Sequence, residues 1–251
     1  KTRLAAFDVL FPDSLQGKIR REAAKKLDVR MARDTADAVH GADIVISAVT
    51  AASTLDVAAH AGRAISAGQV FLDVNSASPS TKRLAAVEIE RNGAHYVEGA
   101  VMAAVKAPGF KVPILAGGPR AVETAERLNA LGMKLTPVAD EIGRASAMKL
   151  CRSIVIKGLE ALMHDCARAA KAFDVEDEVY ASLDASYPGI DWAKLAVDMG
   201  ERLETHGIRR AAEMREAAVM LHELGLPDGL SRAVAQVQEA GAKANKEKKL
   251  H

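Results

Sequence analysis

The chain has 251 residues, 49% of them hydrophobic and only 4% aromatic, so a sizeable core of aliphatic and alanine side chains is expected and disorder throughout is excluded. Lys plus Arg number 34 against 33 Asp plus Glu, which removes the electrostatic case for a dedicated nucleic-acid binder. No apolar run approaches the ~20 residues that a membrane span needs, and two cysteines without metal spacing fit a reducing cytoplasm.

The first 140 or so residues alternate short β-like runs with helical ones. Leu4 to Phe7 reads as a strand ending at Asp8, followed by a polar helix from Ser14 to Lys26 and a weak strand from Asp28 to Met31. Asp43 to Val49 is rich in β-branched residues and apolar throughout, the pattern of a strand covered on both faces. A helix over Ser53–Ile65 and a strand over Val70–Val74 follow. Ser78-Pro79 then opens a helix, with serine as cap and proline in the first turn. His95–Val101 and Pro113–Ala116 read as strands, and Gly117-Gly118-Pro119 turns into a helix reaching Leu131. Strands alternating with helices predict crossover units and a parallel sheet.

Beyond about residue 141 the strand signal stops. Met148, Cys151, Val155, Leu159, Leu162, Cys166, Ala169 and Phe173 recur in steps of three and four, which predicts one helix from 144 to 173 with that face apolar. Such a helix is about 45 Å long at ~1.5 Å per residue and is expected to found a second domain. Further helices are expected, broken at Pro188-Gly189, His206-Gly207 and Gly225-Leu226-Pro227, before a basic tail from Lys243 to Lys249.

An open parallel sheet binds ligands outside the carboxyl ends of its strands. That rule singles out Asp8, Val49, Thr50, Asn75 and Ser76, and the stretch from Gly99 to Val105. Asp8 is read either as the acid that holds an adenosine ribose or as a turn aspartate. A glycine-rich phosphate turn normally precedes such an acid by roughly 20 residues. Only seven residues precede Asp8, and the chain contains no Gly-x-Gly-x-x-Gly, so either the protein lacks this turn or, the favoured reading, the sequence given starts after the first strand and its helix; the sheet is expected without that strand. Lys149 follows the small residues Gly143, Ala145 and Ser146, and Ser153 lies one turn later on the same face. A partly desolvated lysine there can serve as proton donor or acceptor. The seven histidines are scattered without metal spacing, so no metal is expected.

In order and spacing these pieces resemble the β-hydroxyacid dehydrogenase family, which includes 6-phosphogluconate and 3-hydroxyisobutyrate dehydrogenases. Phe71 to Pro79 resembles the family's strand-end motif, and Gly143 to Lys149 the small residues ahead of its catalytic lysine. Val97 to Val105 with Pro113 to Gly118 resembles its substrate loop and the next strand. Lys157 to Ala161 and Arg209 to Met214 resemble a subgroup with a helical C-terminal domain of unassigned function.

The resemblance implies a Rossmann-like, doubly wound α/β domain over 1–142 and an all-helical substrate and dimerisation domain over 143–251. It implies a dehydrogenase with Lys149 as general acid/base, and Asp8, Val49, Thr50, Asn75 and Ser76 around the cofactor. The family's Ser-Gly-Gly is Met102-Ala103-Ala104 here, and its asparagine one turn after the lysine is Ser153 beside Arg152. The substrate is therefore expected against Met102, Ala103, Arg152, Ser153 and Arg210, with an arginine taking a carboxylate. Asp8 would repel a 2′-phosphate, which favours NAD over NADP. A homodimer through the helical domain is expected, with a small-molecule substrate and neither nucleic acid nor membrane as partner. Lys157, two turns beyond Lys149, is expected to stand apart from the chemistry. The competing readings are a non-catalytic binding or assembly module and a ketone or imine reductase on the same fold.

Overall fold

The computed structural model describes residues 2–12 and 15–248, with side chains described as far as 243. It divides into two compact units, 1–146 and 147–251. Ser14, the expected first residue of the first helix, and Lys249 at the end of the basic tail lie outside the described residues.

The first unit runs β1 (Ala5–Ala6), α1 (Leu15–Lys26), β2 (Arg30–Met31), α2 (Thr35–Val39), β3 (Ile44–Ser47), α3 (Thr54–Gly62) and β4 (Val70–Asp73). It continues with α4 (Pro79–Glu90), β5 (His95–Val101), β6 (Pro113–Gly117), α5 (Ala121–Ala130) and β7 (Lys134–Ala139). β1 and β2 pair in parallel as a separate ribbon, while β3-β4-β5-β6-β7 form a five-stranded sheet in sequence order. The expected all-parallel sheet is corrected at one point: β5 and β6 are antiparallel, joined by the loop after Val101 without a crossover helix. β7 went unread in the sequence because Pro137 interrupts it and only Leu135 is buried, as suits an edge strand. The short α2 also escaped the pattern; Asp34 caps it by accepting from the Asp37 N–H.

Alternation along β4 supplies both faces of the sheet. Phe71 packs with Ile89, Ala85 and Tyr96 under α3 and α4, and Leu72 packs with Val97, Ile114 and Leu128 under α5. The end of β4 is closed by a buried polar cluster. The Lys82 ammonium on α4 bonds the Asp73 carboxylate and the Asp73 carbonyl oxygen, each at 2.9 Å, and the Tyr96 hydroxyl donates to the other carboxylate oxygen at 2.7 Å. Lys82, Asp73 and Tyr96 are all fully buried. Burial, and then the Asp73 charge, push the Tyr96 phenol well above its ordinary pKa, so it stays a donor.

The second unit is helical: the body of α6 (Arg144–Phe173), then α7 (Glu176–Ser186), α8 (Trp192–Glu223) and α9 (Gly229–Lys248). The expected span of α6 is observed, but its apolar face is turned outward. Met148, Val155, Leu162 and Phe173 are exposed, and the buried face is Leu150, Ser153, Lys157 and Ala161. Leu150 and Ala161 pack against Ala211, Met214 and Ala217 of α8 and Val234 and Ala235 of α9. The expected break at His206-Gly207 is absent, and α8 runs straight through it. Gly207 has a packing reason instead: a Cβ there would land on the Gln238 carbonyl oxygen of α9 and stand 3.0 Å from the Ala242 Cβ.

Two stability outcomes follow from this packing. Gly207→Ala should push α8 off α9 and cost about 1–3 kcal/mol in chemical denaturation, the usual scale of overpacking. Lys82→Met should cost about 3–5 kcal/mol, because it leaves the Asp73 carboxylate buried without its cation.

Candidate active site

β3 and β4 pair in parallel with Ser47 opposite Asp73, so the segments that leave them begin side by side. Asn75 ties these segments together. Its side-chain oxygen accepts from the Val49 N–H at 2.6 Å, its amide donates to Ser47 Oγ at 3.1 Å, and its backbone N–H donates to Asp73 Oδ1 at 2.9 Å. Asn75 is buried, so it fixes the shape of the strand-end surface and leaves the Val49 and Thr50 backbones to form it. The Thr50 hydroxyl is exposed and bonds Ser53 Oγ at 3.0 Å. Ser76 is half-buried beside them, and Ser78 caps α4 as the sequence predicts.

A cavity of about 650 Å³ is lined by Phe7 and Val9 after β1, Asp34 and Thr35 at the start of α2, Ser53 just before α3, and Asp56, Val57 and His60 along α3. That volume is in the range of small-molecule sites. Asp8 stands next to the lining residues Phe7 and Val9 with both carboxylate oxygens engaged: one accepts from the Leu10 N–H at 2.8 Å, the other pairs with Arg20 Nε at 3.0 Å. Arg20 comes from α1. Met102, Ala103 and Ala104 leave β5 in a loop where Ala103 and Ala104 are exposed, and Met102 is held by its N–H to the Pro113 carbonyl oxygen at 2.9 Å.

Glu98 in the middle of β5 is fully buried and went unnoticed in the sequence. Its Oε1 accepts from the N–H groups of Gly143 at 2.7 Å and Ala145 at 2.9 Å, and its Oε2 from the Ser146 hydroxyl at 2.8 Å. A carboxylate so placed satisfies the orphan donors of a helix start and favours its positive end. Gly143 permits the approach: its φ is +107°, and a Cβ would stand 2.8 Å from Arg83 Nη1.

The second unit holds the candidate lysine. Lys149 is largely buried on α6, and Ser153 and Lys157 follow at steps of four on the same face, both buried. Lys157 Nζ donates to Ser153 Oγ at 2.9 Å and pairs with Glu213 Oε2 on α8 at 2.7 Å. Burial raises the Glu213 carboxyl, but the ammoniums of Lys157 and Lys149 outweigh it and hold the pKa below the usual carboxylate range. Burial also lowers the Lys157 ammonium below its ordinary value, against the pull of Glu213. Lys157 touches Ser153, one of the expected substrate residues. Arg210 pairs with the buried Glu160 at 3.0 Å, and Gln238 Nε2 donates to the same carboxylate at 3.0 Å. Arg152 is exposed. The signal for Lys157 and Glu213 was present as a Lys-x3-Ser-x3-Lys spacing and an acid in the Arg209–Met214 run.

Among the described residues no helix is long and apolar enough to cross a membrane, and no three His, Cys, Asp or Glu side chains converge as metal ligands.

Residues 4–139 match the family model described as the NAD binding domain of 6-phosphogluconate dehydrogenase, and residues 170–241 match a domain of unknown function, DUF1932. Among solved structures, a conserved hypothetical protein from Sinorhizobium meliloti 1021 is 42% identical, with a TM-score of 0.79 over 96% of this chain and 81% of that one. A conserved protein of unknown function, described as structurally similar to 3-hydroxyacid dehydrogenases, is 28% identical with a TM-score of 0.73 over 96% and 89%. A Mycobacterium tuberculosis 3-hydroxyisobutyrate dehydrogenase shares the fold at 16% identity and a TM-score of 0.75, over 96% of this chain and 86% of that one. An uncharacterized Methanothermus fervidus protein is 31% identical over 164 residues, 65% of this chain and 62% of that protein's length. With its first match reaching over more than half of the 251 residues, the chain belongs to the NAD-binding-domain family of 6-phosphogluconate dehydrogenase, continued by a DUF1932 domain.

Proposed function

We propose that this protein is an NAD(P)-dependent oxidoreductase acting on the hydroxyl or carbonyl carbon of a small hydroxy acid, with Lys149 as its general acid/base. The observation that carries the reading is a largely buried lysine one turn before a buried serine, on the helix that follows a family-matched NAD-binding domain. The cavity of about 650 Å³ fits the adenosine end of the dinucleotide: Phe7, Val9 and Val57 offer apolar walls, and Thr35 and Ser53 offer polar groups. Val49 and Thr50 would hold the rest through backbone groups, with Asn75 fixing their shape. When bound, the nicotinamide supplies the hydride acceptor or donor.

Lys149 does the proton chemistry. In oxidation its neutral amine takes the proton of the substrate hydroxyl; in reduction its ammonium returns a proton to the carbonyl oxygen. Ser153 bonds a substrate oxygen, and the Met102-Ala103-Ala104 loop gives a less polar surface than the family's Ser-Gly-Gly. With the Arg210 charge already balanced by Glu160, exposed Arg152 is the better carboxylate partner of the two.

The assembly we propose is a homodimer through the helical unit, in which a second copy covers the exposed stripe of Met148, Val155, Leu162 and Phe173. The unpaired Cys151 and Cys166 suit the reducing cytoplasm that the reading assumes.

Lys149→Met keeps the length and loses the proton. It should lower turnover by roughly 100-fold or more, with NAD affinity within a few-fold of the parent. A variant with full turnover would end the dehydrogenase reading, leaving the binding module. Asp8→Ser tests the cofactor preference: removing the carboxylate releases Arg20, so NADP affinity should rise relative to NAD in fluorescence titrations. An unchanged ratio would assign Asp8 to its turn alone.

A further inference from the structure

Lys157 is a costly residue for its place. It is 5% exposed, as is Glu213, and a buried pair of this kind is often no more stabilising than apolar groups of the same size. The surrounding contacts of α6, α8 and α9 are made by Leu150, Ala161, Met214 and Val234, which could have packed against another apolar side chain. What the pair does achieve is directional. An ammonium has three donors and no acceptor, so the 2.9 Å bond can run only from Lys157 to Ser153 Oγ. That bond takes one lone pair of the serine oxygen and sets a positive charge beside it, which turns the single hydroxyl proton away from Lys157 and favours an acceptor on the other side. Glu213 fixes the ammonium from the other side at 2.7 Å, and Arg209 pairs with the second oxygen of the same carboxylate. Arg210 and Glu160 in the same interior pair at 3.0 Å.

We propose that Lys157 is a positioning residue: anchored by Glu213, it commits the Ser153 hydroxyl to donate to a carboxylate or carbonyl oxygen of the substrate bound at Lys149. Lys149, Ser153 and Lys157 lie on one face of α6 at steps of four residues, with the serine between the two lysines. The proposal rests on the reading of Lys149 as the reactive lysine. It deepens that reading by defining what the substrate must present: an acceptor oxygen.

The test compares Ser153→Ala, the paired exchange Lys157→Met with Glu213→Leu, and all three substitutions together. The paired exchange removes both members of the buried pair at once, so neither Lys157 nor Glu213 is left buried without the other, and a melting curve checks that the fold survives. Lys157→Arg serves as the conservative variant. The measurements are KM and kcat with a hydroxy acid found by screening, and the affinity for propionate, an unreactive carboxylate that needs no turnover. Ser153→Ala and the paired exchange should each weaken propionate binding and raise KM by about tenfold, the scale of one hydrogen bond to a charged group. The combined variant should be no worse than either, because both act through one hydroxyl. Lys157→Arg, still a pure donor, should recover part of the loss. A folded paired exchange with parental KM and propionate affinity overturns the proposal. Losses that multiply in the combined variant overturn it as well, as does a parent protein that binds no propionate at tens of millimolar. Failure of the underlying reading looks different: Lys149→Met would keep its turnover while the Ser153 and Lys157 losses still failed to add.

Discussion

One buried carboxylate decides where the helical half of this protein begins. Glu98 sits in the middle of β5, where a charge without partners would cost several kcal/mol, and the start of α6 surrounds it with donors. The need is mutual. A helix of 30 residues starts with four N–H groups that have no internal acceptor, and Glu98 removes that deficit without solvent. Its neighbours are small because of it: a Cβ on Gly117 would stand 2.6 Å from Glu98 Oε1. Lys149 enters the chain three residues after Ser146, so the anchor precedes the candidate reactive group by less than one turn.

Two buried ionic systems share the same chemistry and differ in purpose. Around Asp73 every oxygen is taken by Lys82, Tyr96 or a backbone N–H, and the cluster is closed to any ligand. Around Glu213 the cations are spread over α6 and α8, and their attraction carries through Lys157 to a hydroxyl with a proton to give. The first system locks a strand end to its helix. The second keeps polarity in a helical interior that does not need it for cohesion.

The fold was largely legible because it is written in patterns. β-branched runs at Ile44–Ser47 and Val70–Asp73, a capped proline at Ser78-Pro79 and an unbroken periodicity from 144 to 173 each appear at the expected place. The errors have physical causes. Apolar spacing reports that a helix has a hydrophobic stripe, not which neighbour covers it, so the periodicity of α6 did not reveal that Met148, Val155, Leu162 and Phe173 are exposed. Glycine reports an absence of side chain, which reads as a breaker in sequence and acts as a contact at Gly207. The strand-end residues and Lys149 could be picked out by position, but their partners could not. Arg20 for Asp8, Glu98 for the α6 start and Glu213 for Lys157 lie between 12 and 56 residues away in sequence, beyond any local pattern.

The close approach of α8 and α9 carries a kinetic consequence. Gly207 brings α8 against the backbone of α9, Gly241 makes room for the Leu203 side chain, and only five residues, 224–228, connect the helices. Contacts between such neighbours close short loops and lose little chain entropy before they repay it. The five-stranded sheet is different, since each parallel pairing waits for a crossover helix to be laid down first. The α8–α9 hairpin is therefore the natural nucleus of the helical unit, able to form on the timescale of local helix pairing, while the sheet sets the slow phase of folding.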